Sequence, residues 1–460
     1  MPGPLRPPLP LLRLLLAALL LAGGGVRLPQ ALAQHTLRDF TGVVYSMNPA
    51  VGDLGMGWVR ELEVGAFDWS TLQPNRSSPF LFDATDAAVA TARRANHSIL
   101  PILAYTPQWA QQGHEADRCH WPATDVSDWE RYVTAVVERY TAQGVRHWQI
   151  WNEPGWPNKP FYCGTEASFV LDVYLPAARI IRAHGGRVVF GGWVSIYGMD
   201  DFKELLMLGD GSTTVLEMTD VLDVHYHGVS ELVEMYEWAN GTKGMYMSEL
   251  GFLTFPSYLP NVYLRWLSYA ASNGRWVAPD TFVLIWYASW GAGPDAPKCL
   301  SFTNASGDQE LTTHGRHLQL MSSVFRDEKI KAFDDFTTTP ELRPSIAEEV
   351  STALGFELSD GTVVVALLVG NDTYTGPAMT VTLRYTPPAA GAVPSCVMVA
   401  APNGTITPLQ PTRAGSSGGG DARAAVEVVV PVGLTPMGVA RAFGGPKDPY
   451  AVGVTYVVCK

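Results

Sequence analysis

Two glutamates draw attention by where the chain puts them. The run HWQIWNEP (residues 147–154) is bulky and apolar until it reaches Asn152, Glu153 and Pro154, and MYMSELGF (residues 245–252) likewise ends in Glu249 before Gly251. A residue preceding proline favours extended backbone, so Glu153 is expected to continue its strand, with Pro154 stopping it one step later. Gly251 would let the chain turn after Glu249. Each carboxylate is then presented at the C-terminal edge of a strand, the edge at which parallel α/β folds bind ligands. Two facing carboxylates in different surroundings are the apparatus of glycoside hydrolysis. One protonates the leaving oxygen while the other attacks or stabilises the oxocarbenium-like centre.

For residues 96 positions apart to meet, the elements between them must close on themselves. From residue 41 to about 325, eight extended apolar segments alternate with helix-like ones. The segments are 42–46, 58–64, 98–105, 147–153, 187–193, 220–227, 243–249 and 281–289. Residues 83–96 and 125–143 carry alanines and apolar positions at amphipathic helical spacing. This pattern predicts a (β/α)8 barrel over residues 34–335, with Glu153 after strand four and Glu249 after strand seven, facing each other across one mouth. The competing doubly wound open sheet lacks a G-x-G-x-x-G after its first strand. Residues 336–460 read as a smaller all-β, sandwich-like domain, with strands around SDG (359–361) and a Gly- and Ser-rich loop at 414–422.

On WNEP (151–154) and SELG (248–251), supported by WVR (58–60) and TPQWA (106–110), the chain resembles the clan A glycoside hydrolases. These are retaining (β/α)8 enzymes, and the trailing β-domain is similar to that of the β-xylosidase and α-L-iduronidase family or its neighbours. The resemblance implies Glu153 as acid/base and Glu249 as nucleophile. It also implies Asn152 on the sugar hydroxyl next to the anomeric carbon, and Arg60 beside Glu249, where it would keep that carboxyl ionised. An ion pair of Arg60 with Glu61 or Glu63 is the structural alternative. Related enzymes place His, one residue, then Tyr on strand six, whereas this chain has His225, Tyr226 and His227. Strand alternation points the two histidines one way and Tyr226 the other. Either a bulge restores Tyr226 as the nucleophile's partner, or His227 takes its place. The two histidines also raise a metal site, but no Asp or Cys cluster completes it, so neither metal nor cofactor is expected. Trp109, Trp121, Trp156, Trp193, Trp286 and Trp290 follow the strands as candidate walls for sugar rings. Trp286 is favoured over Trp290 as the platform after strand eight.

Composition bounds the partners. Residues 1–33 carry Arg6 and Arg13, an apolar run at 14–22, and Ala31 and Ala33 in the small-residue pattern of a cleavage site, which reads as a secretory signal peptide. Loss of its three arginines would take the net charge from −12 to about −15, which disfavours nucleic acid and anionic membranes. No stretch offers the continuous apolar length of a membrane span. Six N-x-S/T sequons, beginning at Asn75, Asn96, Asn240, Asn304, Asn371 and Asn403, fit a secreted glycoprotein. Of five cysteines, Cys119 and Cys163 fall after strands three and four, neighbours on the rim, and a bridge between them is expected. Cys396 and Cys459 remain for the β-domain and Cys299 is the odd one, unless Cys299 reaches across the rim instead. A carbohydrate substrate is the expected partner. A barrel that binds glycans without turnover is the alternative. An esterase would need a positioned Ser or Cys nucleophile, and no G-x-S-x-G occurs.

Overall fold

The computed structural model describes residues 35–44, 54–61, 65–114, 119–155, 161–251, 258–287, 290–291, 299–347, 350–369, 378–388, 393–413, 425–433 and 453–460. The segment read as a signal peptide and the sequon at Asn371 lie outside them. Residues Ala33–Lys460 form one compact unit.

Eight parallel strands close into a barrel: β1 (Thr41–Val44), β2 (Trp58–Glu61), β3 (Ser98–Leu103), β4 (His147–Ile150), β5 (Arg187–Val189), β6 (Val221–His225), β7 (Gly244–Leu250) and β8 (Phe282–Trp286). β1 pairs with both β2 and β8, and the Val189–Val221 pairing of β5 with β6 completes the ring. The strands are buried on both faces, as a parallel sheet wrapped by helices must be, which is why they read as nearly continuous apolar runs. Helices Asp83–Arg94 (α1), Val126–Thr141 (α2), Leu175–Ala183 (α3), Met199–Met207 (α4), Val229–Trp238 (α5) and Tyr258–Ala271 (α6) lie between successive strands from β2 to β8. The sequence of α2 shows why it forms. Asp125 caps it by accepting from the Ser127 N–H at 3.0 Å, and Trp129, Tyr132, Val133, Val136, Val137 and Tyr140 recur at helical spacing on its buried face.

Several strands are shorter than the sequence suggests, and two of them matter for the site. β4 stops at Ile150, so Glu153 does not continue it: Trp151 and Glu153 take positive φ of 68° and 48°. The extended segment 187–193 breaks after Val189 and resumes as the two-residue strand Trp193–Val194, which pairs with β6. Gly192 sits in this break with φ of 76°, and a Cβ there would lie 2.1 Å from His225 Nε2. The break therefore makes the space that a β6 side chain fills.

Beyond the barrel, helix α7 (Thr313–Phe325) leads into two antiparallel sheets of six and four strands. The central strand Val363–Val369 is buried on both sides. Val363, Val365, Leu367 and Val369 pack between the two sheets, whereas Val364, Ala366 and Leu368 join the barrel's core. Arg265 of α6 is fully buried and ties the parts together, donating to the Ser345 and Val350 carbonyls at 2.7 and 2.5 Å. Cys119 pairs with Cys163 (Cα atoms 5.6 Å apart) and Cys396 with Cys459 (4.2 Å), leaving Cys299 in neither bridge.

Candidate active site

Glu153 and Glu249 come together at the C-terminal mouth of the barrel. A carboxylate oxygen of each, and a ring nitrogen of His225, all lie within 4.8 Å of one another. Glu153 gets there by leaving the strand. The turn through Trp151 lets its N–H donate to the Gly191 carbonyl at 2.6 Å, which ties the carboxylate's backbone to the break after β5. Glu249 arrives by a bulge. Val224 faces Met247 and His225 faces Glu249, so Ser248 is the extra residue on β7. Without it, Ser248 and Glu249 would point to opposite faces; with it, both reach the interior.

The two carboxylates have different surroundings. Glu249 is 4% exposed. Arg60 Nη1 donates to its Oε1 at 2.5 Å, and the Tyr226 hydroxyl donates to its Oε2. Burial opposes its ionisation, but the charges of His225 and Arg60 and the Tyr226 hydrogen bond outweigh that and hold its pKa below the ordinary value. Glu153 is more open, with 13% of its side chain exposed, and its partner is His225 Nδ1 at 2.9 Å. His225 is thus shared, its Nδ1 also 3.8 Å from Glu249 Oε1. Burial disfavours its charged form, yet Glu249 and Glu153 together raise its pKa.

Of the two arrangements left open for the HYH triplet, the structure has the one with Tyr226. This residue takes φ of 60°, which breaks the alternation and brings His225 and Tyr226 into the same site. His227 turns away, buried, with Nδ1 3.2 Å from Glu231. Arg60 pairs with Glu249, and Glu63 lies outside the described residues. Its guanidinium spans Glu249, Asn152 Oδ1 (2.6 Å) and, through Nε, Gln149 Oε1 (2.7 Å). Tyr105 lies beside Asn152.

The aromatic candidates divide. Trp156 and the side chain of Trp290 lie outside the described residues. Trp109 is half-buried on the rim after β3, its Nε1 donating to the Gln73 carbonyl at 3.0 Å and its ring edge-on to Trp69. Trp286 is fully buried, with Gly251 against its ring and His314 at a centroid distance of 5.6 Å. Trp193 stacks on Phe202 in the core, and Trp121 stacks on His114.

Four residues that sequence reasoning passed over build the floor. Asp223, fully buried, accepts from the Ser248 N–H at 2.8 Å, from its hydroxyl at 2.5 Å, and from Gln149 Nε2. The Ser248 hydroxyl also meets His225 Nε2 at 3.0 Å. Gln149 thereby joins this group to Arg60, and Tyr105 supports Asn152. The signal was available, because a Gln and an Asp inside apolar strands must find buried partners. Asp223 also stands two residues before His225 on one strand face. Among the described residues, Glu153, His225 and Glu249 are the one trio spaced to hold a metal ion. Arg60 already sits against Glu249, and its guanidinium would repel a second cation there.

No protein-family model matches the chain, and no curated protein does. Among solved structures it is similar to a family 39 glycoside hydrolase from the gut symbiont Bacteroides cellulosilyticus WH2, with a TM-score of 0.56 and 11% identity over 93% of this chain and 82% of that one. It also aligns with the endo-β1,6-glucanase BT3312 (TM-score 0.49, 10% identity, 94% and 93% covered). A family 1 β-glucosidase from Thermotoga maritima aligns as well (TM-score 0.42, 14% identity, 60% and 84% covered). At these identities the likeness is one of fold. The (β/α)8 barrel followed by antiparallel sheets, expected from the WNEP and SELG resemblance, is the fold found.

Proposed function

We propose that this protein is a retaining glycoside hydrolase, with Glu249 as nucleophile and Glu153 as acid/base. The observation that carries this reading is the approach of the two carboxylates to within 4.8 Å, one held ionised by Arg60 and Tyr226 and the other more open. Inverting enzymes separate their carboxyl groups by about 6.5–9.5 Å to admit a water, and retaining ones by about 5–5.5 Å. In the first step Glu249 attacks the anomeric carbon as the glycosidic C–O bond breaks, and Glu153 delivers its proton to the departing oxygen. In the second, Glu153 takes a proton from water, the oxygen attacks the same carbon, and Glu249 is released. His225 Nδ1 lies 2.9 Å from Glu153 Oε1 and 3.8 Å from Glu249 Oε1, so it positions the pair rather than reacting itself. Asn152, its Oδ1 taken by Arg60, is the candidate for the hydroxyl next to the anomeric carbon. The similar fold of the family 39 enzyme supports the reading.

Two disulfides in one chain fit folding in an oxidising compartment, and we read residues 1–33 as a signal for export. No helix among the described residues is long and apolar enough to cross a membrane. A panel of aryl glycosides and polysaccharides tests the function. Turnover that falls by about 10⁴-fold or more in Glu249→Ala is the expected result. Binding without turnover on every member would favour the inactive carbohydrate-binding barrel, and wild-type rates in both Glu153→Ala and Glu249→Ala would place the chemistry elsewhere.

A further inference from the structure

The opposite end of the barrel holds a second feature that the proposed chemistry does not use. A cavity of about 440 Å³ opens where β2, β3 and β4 begin, lined by Trp58, Ser98 and His147 from those strands and by Arg38, Arg93, Arg146 and His97 around them. That volume lies within the roughly 300–1,000 Å³ of ordinary small-molecule sites. Its charges do not cancel. Of the two carboxylates in the lining, Asp39 is turned to Thr36, accepting from its N–H at 2.8 Å and its hydroxyl at 3.1 Å. Asp280 is held between His147 Nε2, at 2.9 Å, and Arg187. Among the described residues Arg38 donates to the carbonyls of Ala95 and Asn96, at 3.1 and 2.6 Å. Arg93 and Arg146 have no ion-pair partner among the described residues, and His97 Nδ1 is buried there without a hydrogen-bond partner among them. Arg38, Arg93 and Arg146, none of them in an ion pair among the described residues, therefore line one concave space in a chain of net charge −12. An anion entering that space would be attracted by all three.

We propose that this cavity binds a tetrahedral oxyanion, sulfate or phosphate, either free or carried on a sugar. Arginine is suited to that ligand because its planar fork of N–H donors pairs two at a time with anionic oxygens. The site lies across the barrel from Glu153 and Glu249, so its occupant is not the group undergoing hydrolysis, and the inference stands whether or not the glycosidase reading does.

Thermal unfolding and calorimetric titration of the full chain test it without any need for turnover. Sulfate should raise the unfolding temperature more than chloride does at matched ionic strength. The double variant Arg93→Ala/Arg146→Ala should weaken sulfate binding about tenfold or more. Arg94→Ala, on the same helix end but bonded to Thr91 and outside the lining, should bind as the wild type does, which separates a lost site from a damaged fold. A sulfated monosaccharide that binds more tightly than both inorganic sulfate and its unsulfated parent assigns the anion to a glycan. Equal or weaker binding assigns it to the free ion, and either result supports the site. A response to sulfate no larger than that to chloride, or one undiminished in the double variant, would overturn it.

Discussion

At the scale of single residues the account turns on how Glu249 stays ionised inside the barrel. The Tyr226 hydroxyl donates to the Oε2 that Arg60 leaves free, and this bond stabilises the charged form. Tyr226→Phe removes the donor, so the Glu249 pKa should rise and the acid limb of the kcat/KM profile should move to higher pH, with a loss of about 10–100-fold at the optimum. An acid limb that stays in place would mean that Tyr226 does not tune the proposed nucleophile. Stability should follow the same chemistry with its own sign. Because the folded-state pKa of Glu249 is depressed, its contribution is present above the unfolded value and is lost as pH falls through the folded one. His225 runs the other way. Its raised pKa contributes stability below the unfolded value of 6.5, and this is lost as pH rises through the folded value. Unfolding measured across pH should therefore show both losses in the wild type, with the alkaline one reduced in His225→Gln.

At the scale of elements the site depends on three local departures from regular geometry: the turn at Trp151, the break at Gly192 and the bulge at Ser248. Gly192→Ala places a methyl group against the His225 ring on a backbone of positive φ. It should cost about 1–3 kcal/mol in denaturant unfolding and lower kcat by displacing His225. A variant with wild-type stability and rate would show that the break is incidental. These departures also mark where sequence reading stopped. The eight apolar runs and the glutamates ending two of them were legible, because burial of both sheet faces writes a strong pattern. The pairing of Cys119 with Cys163 followed from neighbouring rim loops. Glu153 was expected in extended geometry, and the rule for residues before proline pointed there, yet its left-handed backbone is held by the Gly191 carbonyl, a tertiary contact. The choice between Tyr226 and His227 depended on the Tyr226 backbone and on how β6 registers against β7, neither of which the triplet alone contains. Gln149, Asp223 and Ser248 were visible as polar residues in apolar strands, but which of them would meet could not be read without the barrel's closure.

At the scale of the whole molecule, the strand Val363–Val369 gives alternate side chains to the barrel and to the space between the sheets, so the C-terminal region and the barrel share a core. The Cys396–Cys459 bridge joins paired strands of the six-stranded sheet across 63 residues of sequence. Cys396→Ser/Cys459→Ser should lower stability by about 2–4 kcal/mol while leaving kcat/KM unchanged at temperatures where the protein stays folded. Parallel losses of stability and activity would show that the sheets shape the site directly. The claim that unites the three scales is that a covalent bond forms between the sugar and Glu249. A 2-fluoro glycoside of whichever sugar the panel identifies, carrying a good leaving group, slows both steps but keeps the first faster than the second, and should trap that bond. Peptide mapping of the inactivated protein should then find the added sugar mass on Glu249, in the segment MYMSELGF, and nowhere else. A label on Glu153 or any other residue, or a substrate turned over with inversion and no trapped adduct, would contradict the account.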